Sequence, residues 1–305
     1  MFFKARGNQS PALLKQRTND MTTSHQIAVA TDHLATGHTM PHLTPDSTLP
    51  LGKWSLEVLP RDATDLSLVP NTIGEIYVSM IPGETVESVI DALKRIRAQG
   101  KIPVPHIAAR NLESDKSLRS VLMTCAELDV HRVLLIGGGA TQITGPYAQV
   151  MDLLETGLLA EYGITHIDIA GHPEGNPDDP DPEQSLVAKL NWADRHGMHS
   201  RILTQWSFDA TAVNSWIDRL RALGFKQPVH VGIPGPATLK ALLRYATVCG
   251  VKTSTQVLKR QGLSLGRLLL INKPDQLIND LRGYDQLHLF PFGGLARTTE
   301  WLKQR

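Results

Sequence analysis

"HIDIAGHPEGNP", residues 166–177, changes character at its middle. His166 to Ala170 alternates and turns apolar, as a strand entering a core does. Gly171 to Pro177 then gathers two Gly, two Pro, a His, a Glu and an Asn into one short loop. Pro173 and Pro177 stiffen such a loop, and Gly171 and Gly175 are expected to let its backbone turn tightly. A buried strand that opens straight into a polar, constrained segment predicts the rim of a site.

The same strand-then-punctuation pattern recurs along the chain. It appears at "WSLEVLP" (54–60), "EIYVSMIP" (75–82), "IPVPHIAA" (102–109) and "HRVLLIGGG" (131–139), then at "HSRILTQWSF" (199–208), "PVHVGIPG" (228–235) and "QLHLFPFGG" (286–294). Amphipathic stretches lie between most of these runs. "TVESVIDALKRIRAQG" places Val86, Val89, Ile90, Leu93 and Ile96 at helical spacing, with Gly100 as a stop. "AVNSWIDRLRALGF" is read with Trp216, Leu220 and Leu223 on one face and Gly224 closing it. Strands alternating with helices predict parallel βαβ units. Eight such strands, with no GxGxxG opening the first unit, favour a (β/α)8 TIM barrel over a doubly wound sheet. The interval 236–283 is then an elaboration between the last two strands. Residues 51–305 form the barrel, and residues 1–50, rich in Thr, His, Pro and Ser, are expected to be an irregular N-terminal arm.

Composition narrows the functional classes. The chain has 305 residues, 41% hydrophobic and 20% charged, with a formal net charge of +1. Its Lys and Arg are scattered and matched by acids, so nucleic acid is not an expected partner. No apolar run reaches membrane-spanning length, and "MFFKARGNQSPALLKQRTNDM" lacks the apolar segment and cleavage site of a signal peptide. That start reads as a loose extension, with Met21 as an alternative first residue. Cys125 and Cys249 match neither a disulfide framework nor a zinc spacing; both read as reduced core residues of a cytoplasmic protein. The arm's His25, His33, His38 and His42 fit no ligand pattern, so no metal is expected. Assembly into a homo-oligomer stays open.

In a barrel of this kind, chemistry sits at the C-terminal ends of the strands. The first strand carries Glu57 inside an apolar run. A carboxyl buried there is expected to have a raised pKa and to serve as a general acid, although a rim position paired with Arg61 also fits. The second strand ends in Ser79. The third holds His106, either a core histidine bonded to backbone or a site residue, and ends at Ala109 and Arg110. Gly137, Gly138 and Gly139 end the fourth strand, where they admit a flat ligand or make a tight turn. Gln205 ends the sixth, binding a polar ring edge or capping the barrel.

Taken in order, these motifs resemble the methylenetetrahydrofolate reductases, a family of flavin-dependent (β/α)8 barrels of one-carbon metabolism. "WSLEVLP" resembles the family's first strand and "VPHIAARN" its Pro-His-Leu-Thr strand. "GPYAQVMDLL" is similar to its flavin-touching Tyr-Ala stretch, "IDIAGHPEGNP" to Ala-x-Tyr-Pro-Glu-x-His-Pro, and "RILTQWSFD" to Ile-Thr-Gln-x-x-Phe-Asp. The likeness runs from about residue 53 to 304. It implies reduction of 5,10-methylenetetrahydrofolate to 5-methyltetrahydrofolate with NAD(P)H through FAD, as in methionine biosynthesis. Glu57 would be the catalytic acid, Gln205 a catalytic and folate-binding residue, and Leu239 a second substrate contact. Flavin contacts would fall to Ser79, His106, Arg110, Gly137, Gly138, Gly139, Tyr147, Ala148, Ala170, His172, Asn176 and Lys189. The sequence departs from the family where Gly137–Gly139 replace Arg-Gly-Asp, and where His172 and Asn176 replace Tyr and His. Those departures leave flavin contacts partly matched. They keep open a tetrahydrofolate-dependent methyltransferase or demethylase on the same barrel, and a non-catalytic subunit.

Overall fold

The computed structural model describes residues 54–140, 142–248 and 271–304. The expected arm, its four histidines and Cys249 lie outside the described residues. Eight strands close into an all-parallel barrel, as the sequence pattern predicts. They are β1 (Trp54–Val58), β2 (Glu75–Val78), β3 (Ile102–Ala108), β4 (Arg132–Ile136), β5 (His166–Gly171), β6 (His199–Thr204), β7 (Val229–Pro234) and β10 (Gln286–Phe290). Around the barrel the order is β1-β10-β7-β6-β5-β4-β3-β2, with β10 closing on β1 through Ser55↔His288. The 236–283 interval holds a small antiparallel pair, β8 (Ala237–Thr238) and β9 (Ile271–Asn272).

The helices among the described residues are α1 (Val86–Ala98), α2 (Asp115–Glu127), α3 (Val150–Glu155), α4 (Leu158–Glu161), α5 (Pro182–Arg195), α6 (Ala210–Ala222), α7 (Leu239–Val248), α8 (Asp275–Asp280) and α9 (Leu295–Leu302). The longer helices α1, α2, α5 and α6 start at side-chain caps. Thr85 accepts from Ser88 N at the head of α1, and Asp181 from Gln184 N at α5, where Pro182 occupies the first turn. Asp209 caps α6 by accepting from Ala212 N at 3.0 Å. Val89, Leu93 and Ile96 of α1 are buried against the sheet, and Val86 and Ile90 pack beside them. On α6, Trp216 and Leu220 are buried, but Leu223 is 58% exposed. The expected common face therefore fails at Leu223, which caps the helix beyond its last turn and points away from the core.

Strand alternation sends Leu56, Val58, Ile76, Val78, Ile107, Val133, Leu135, Ile167, Ile169, Val231, Ile233 and Leu289 outward into the main apolar core beneath the helices. The other parity points into the barrel and is largely polar. A small interior cluster of Tyr77, Val104, Leu134 and Leu203 divides it. Tyr77 and the described Cys125 are fully buried; burial pushes the Cys125 thiol up to about 12, so it stays protonated.

One expectation for residues 166–177 needs correction. Gly175 does turn, at φ +87°. Gly171 instead ends β5, and a Cβ there would lie 2.6 Å from the Trp216 ring. Its missing side chain makes room for α6 to pack on the strand; it does not bend the loop.

Candidate active site

Four side chains converge near the C-terminal ends of β1, β2, β3 and β10. Ser79 donates its hydroxyl to Glu57 Oε1 at 2.6 Å. His288 Nε2 lies 3.4 Å from Glu57 Oε2, and His106 Nε2 lies 3.6 Å from the same oxygen. Behind them, the buried Ser55 hydroxyl meets His288 Nδ1 at 2.9 Å. His288 is fully buried and the Glu57 side chain 17% exposed, so Glu57 is the more accessible member of this pair. Strand parity explains the convergence: Ser55, Glu57, Tyr77, Ser79, His106 and His288 all sit on inward positions, joined by the parallel register of β1 with β2 and β10.

The expected raised pKa of Glu57 is not what this environment produces. Burial pushes the carboxyl up. The His106 imidazole, the hydrogen bond and charge of His288 and the Ser79 hydrogen bond outweigh it, and the carboxyl is held below its ordinary value. His106 is itself pushed down, first by burial, with Glu57 opposing. Its buried Nε2 has no hydrogen-bond partner, so the alternative of a core histidine tied to backbone through that atom is not realised. Arg61 faces Asp62 and Glu84 at 3.9 Å each, which removes the rim pairing considered for Glu57.

Below this group lies a buried charged layer that the sequence reading does not single out. Asp168 Oδ1 accepts from Arg201 Nε at 2.6 Å and from Arg132 Nη1 at 2.9 Å. Arg201 Nη2 also donates to Glu75 Oε2 at 2.7 Å and to the Tyr77 hydroxyl oxygen. Tyr77 donates in turn to Asp168 Oδ2 at 2.5 Å. Burial opposes the Asp168 carboxylate, but the two guanidiniums win and hold its pKa at about 2. The Tyr77 ring stands edge-on to His288 at 4.7 Å and joins this layer to the acid. An aromatic wall continues upward: His288–Phe290 at 4.9 Å, Phe290–Phe292 at 5.6 Å, Trp206–Phe292 at 5.0 Å and Tyr245–Phe292 at 4.2 Å. Trp206 and Phe208 just past β6, and Phe292 just past β10, are the sequence signal for it.

The remaining expected residues fall into separate places. Gln205 extends β6, its backbone N–H donating to Gly171 O at 2.8 Å, which sets it on the rim beside the 166–177 loop. Ser207 ties that loop to β6 by donating to Glu174 Oε1. Leu239 is buried with Ala237 and Leu242, packed beside Phe208 and Phe292 at the aromatic wall. Asn176 Oδ1 accepts from Asp178 N and shapes a turn. His172 is pushed down to about 4 by burial and then by the ammonium of Lys189, so it is neutral at pH 7. Burial also lowers Lys189, against the opposing charge of Asp179. Ala170 is half-buried at the end of β5.

Two of the glycine positions implied for flavin are lined by the chain's own side chains. Beside Gly137, the space of a side chain is taken by the Arg110 guanidinium, 3.3 Å from where a Cβ would be. Beside Gly138 it is taken by Asn111 Oδ1 at 2.8 Å, and Gly138 makes the tight-turn alternative at φ +87°. The glycines thus admit the chain's own side chains. Arg110 is further held by Ala148 O at 3.2 Å. The buried Tyr147 directs its hydroxyl to Asp115 at 2.7 Å. Among the described residues no His, Cys, Asp or Glu group is arranged to hold a metal ion, and no helix is long and apolar enough to cross a membrane.

Comparison with known proteins gives one family. The family model described as methylenetetrahydrofolate reductase matches residues 75–262, more than half of the chain. The match starts at β2, so Glu57 and His288 lie outside it. Solved structures are matched at lower likeness. A GH18 chitinase, ChiB, from Flavobacterium johnsoniae is 7% identical over 82% of this chain and 92% of its own, at a TM-score of 0.44. An N-acetylneuraminate lyase from Fusobacterium nucleatum is 9% identical over 74% and 78%, at 0.41.

Proposed function

Because the chain belongs to the methylenetetrahydrofolate reductase family, we propose that it reduces 5,10-methylenetetrahydrofolate to 5-methyltetrahydrofolate with NAD(P)H as reductant. The observation that carries this reading is Glu57: a carboxyl on the inward face of β1, near the barrel mouth, backed by Ser79, His106 and His288. The substrate's five-membered ring opens only after a ring nitrogen is protonated. Protonation breaks its bond to the one-carbon unit, the electron pair leaves with nitrogen, and the resulting iminium carbon accepts hydride. Glu57 supplies the proton. Gln205 on the rim binds the pterin edge, and the half-buried Phe290 and Phe292 of the aromatic wall, backed by the buried Trp206, offer flat apolar surface to the conjugated rings.

No step is assigned to a flavin, because Arg110 and Asn111 fill the places beside Gly137 and Gly138. That same feature favours a second reading, in which the barrel transfers a methyl group to or from tetrahydrofolate without redox chemistry. The test is nicotinamide oxidation by the purified protein on addition of methylenetetrahydrofolate, together with its visible absorption spectrum. Substrate-dependent loss of NADH or NADPH supports the reductase. With neither coenzyme consumed, the reductase reading fails and the methyl-transfer reading takes its place.

A further inference from the structure

Glu57 alone is a poor store for a proton at neutral pH, since its surroundings favour the carboxylate. The geometry supplies a neighbour that can hold one. His288 Nε2 faces Glu57 Oε2 at 3.4 Å, and Ser55 engages the other ring nitrogen at 2.9 Å. The ring is clamped edge-on between Tyr77 at 4.7 Å and Phe290 at 4.9 Å, with no exposed side-chain surface.

We propose that His288 is the positioning and proton-holding partner of Glu57. One proton is shared between His288 Nε2 and Glu57 Oε2, and Ser55 fixes the ring that shares it. In turnover the Nε2–H bond breaks as the Oε2–H bond forms, leaving neutral imidazole beside a carboxylic acid. The acid then passes that proton to the substrate nitrogen, and a proton from solvent reloads the pair through Glu57, the member of the pair whose side chain is partly exposed. Other titratable groups facing His288 are His106 from β3, Tyr77 from β2 and His230 from β7. The inference that this proton reaches a folate rests on the reductase reading; the sharing itself does not.

Two measurements test it. Ring-nitrogen NMR of protein labelled with 15N-histidine, with His288 assigned by its loss in His288→Asn, compares wild type with Glu57→Gln. The expected result is a changed His288 signal in Glu57→Gln, under an otherwise preserved spectrum. Identical His288 signals overturn the proposal whether or not the protein reduces folate. In turnover, His288→Asn is expected to lose about tenfold to a hundredfold in kcat at neutral pH with folate KM unchanged. Its rate should fall about tenfold per pH unit on the alkaline side, from a lower pH than in wild type. Ser55→Ala, which keeps the imidazole, should show a smaller loss of the same kind and covers the case of a poorly folded His288→Asn. Variants with wild-type kcat and pH profile overturn the proposal. A wild-type protein that consumes no nicotinamide sinks the reductase reading alone, and the NMR comparison still decides the sharing.

Discussion

Ser79 and Glu57 are joined across adjacent strands: the β2 hydroxyl donates to the β1 carboxylate at 2.6 Å. That bond favours the charged carboxylate, so losing it raises the Glu57 pKa. Ser79→Ala is therefore expected to extend activity to higher pH, with the alkaline limb of kcat moving upward. A pH–rate profile that superimposes on wild type would show that the hydroxyl does not tune the acid.

Glu57→Gln keeps the shape of the side chain and removes its acidic proton. Turnover should drop by about 10²- to 10⁴-fold, while the circular dichroism spectrum and folate affinity stay near wild type. Retained turnover would remove Glu57 from the role of proton donor.

The charged layer under the site governs acid stability. The Asp168 pKa is about 2 in the folded chain against an ordinary 3.8, so its contribution is fully present above the ordinary value. It is lost as pH falls through the folded one. The span corresponds to about 2 kcal/mol. Asp168→Asn, which leaves Arg201 and Arg132 short of a buried counter-charge, should cost about 3–5 kcal/mol at neutral pH. It should also flatten the stability curve between roughly pH 4 and pH 2. Urea melts across that range measure both effects; an unchanged slope would place the acid sensitivity elsewhere.

What was legible in the sequence follows from what each residue answers to. All eight barrel strands are visible because their outward residues meet helices and read as local apolar runs. Glu57, Ser79 and His106 stand out as polar residues in such runs. The charged layer is not visible, because Asp168 and Arg201 meet only through the register of β5 with β6, and Glu75 and Tyr77 reach them from β2 only across the closed barrel. His288 has the same problem: its partner Ser55 is at the far end of the chain, and the closure of β10 on β1 brings them together. The fate of Gly137–Gly139 depended on whether Arg110 and Asn111 fold back over them, which spacing alone does not tell.

Gln205→Ala tests the rim of the site. Removing the amide should raise the folate dissociation constant about tenfold, through lost hydrogen bonds to the pterin edge, with a smaller effect on kcat. Isothermal titration with tetrahydrofolate reads this directly. Equal affinity would mean that the side chain serves only to cap β6.

Gly137 and Gly138 differ in what fills the space beside them, and alanine should separate them. At Gly138, a Cβ would meet Asn111 Oδ1 at 2.8 Å and Ala108 Cβ at 3.2 Å, on a backbone at φ +87°. Gly138→Ala should thus cost about 1–3 kcal/mol. At Gly137, the obstacle is the far end of Arg110 at 3.3 Å, a side chain that can shift by a few tenths of an ångström. Gly137→Ala should stay within about 0.5 kcal/mol of wild type. Thermal melts of both variants, with Arg110→Ala and the Gly137→Ala/Arg110→Ala double variant beside them, decide the matter. If Gly137→Ala destabilises as much as Gly138→Ala and Arg110→Ala relieves it, the guanidinium is rigidly seated. The end of β4 would then be a closed surface with no room for a flat ligand.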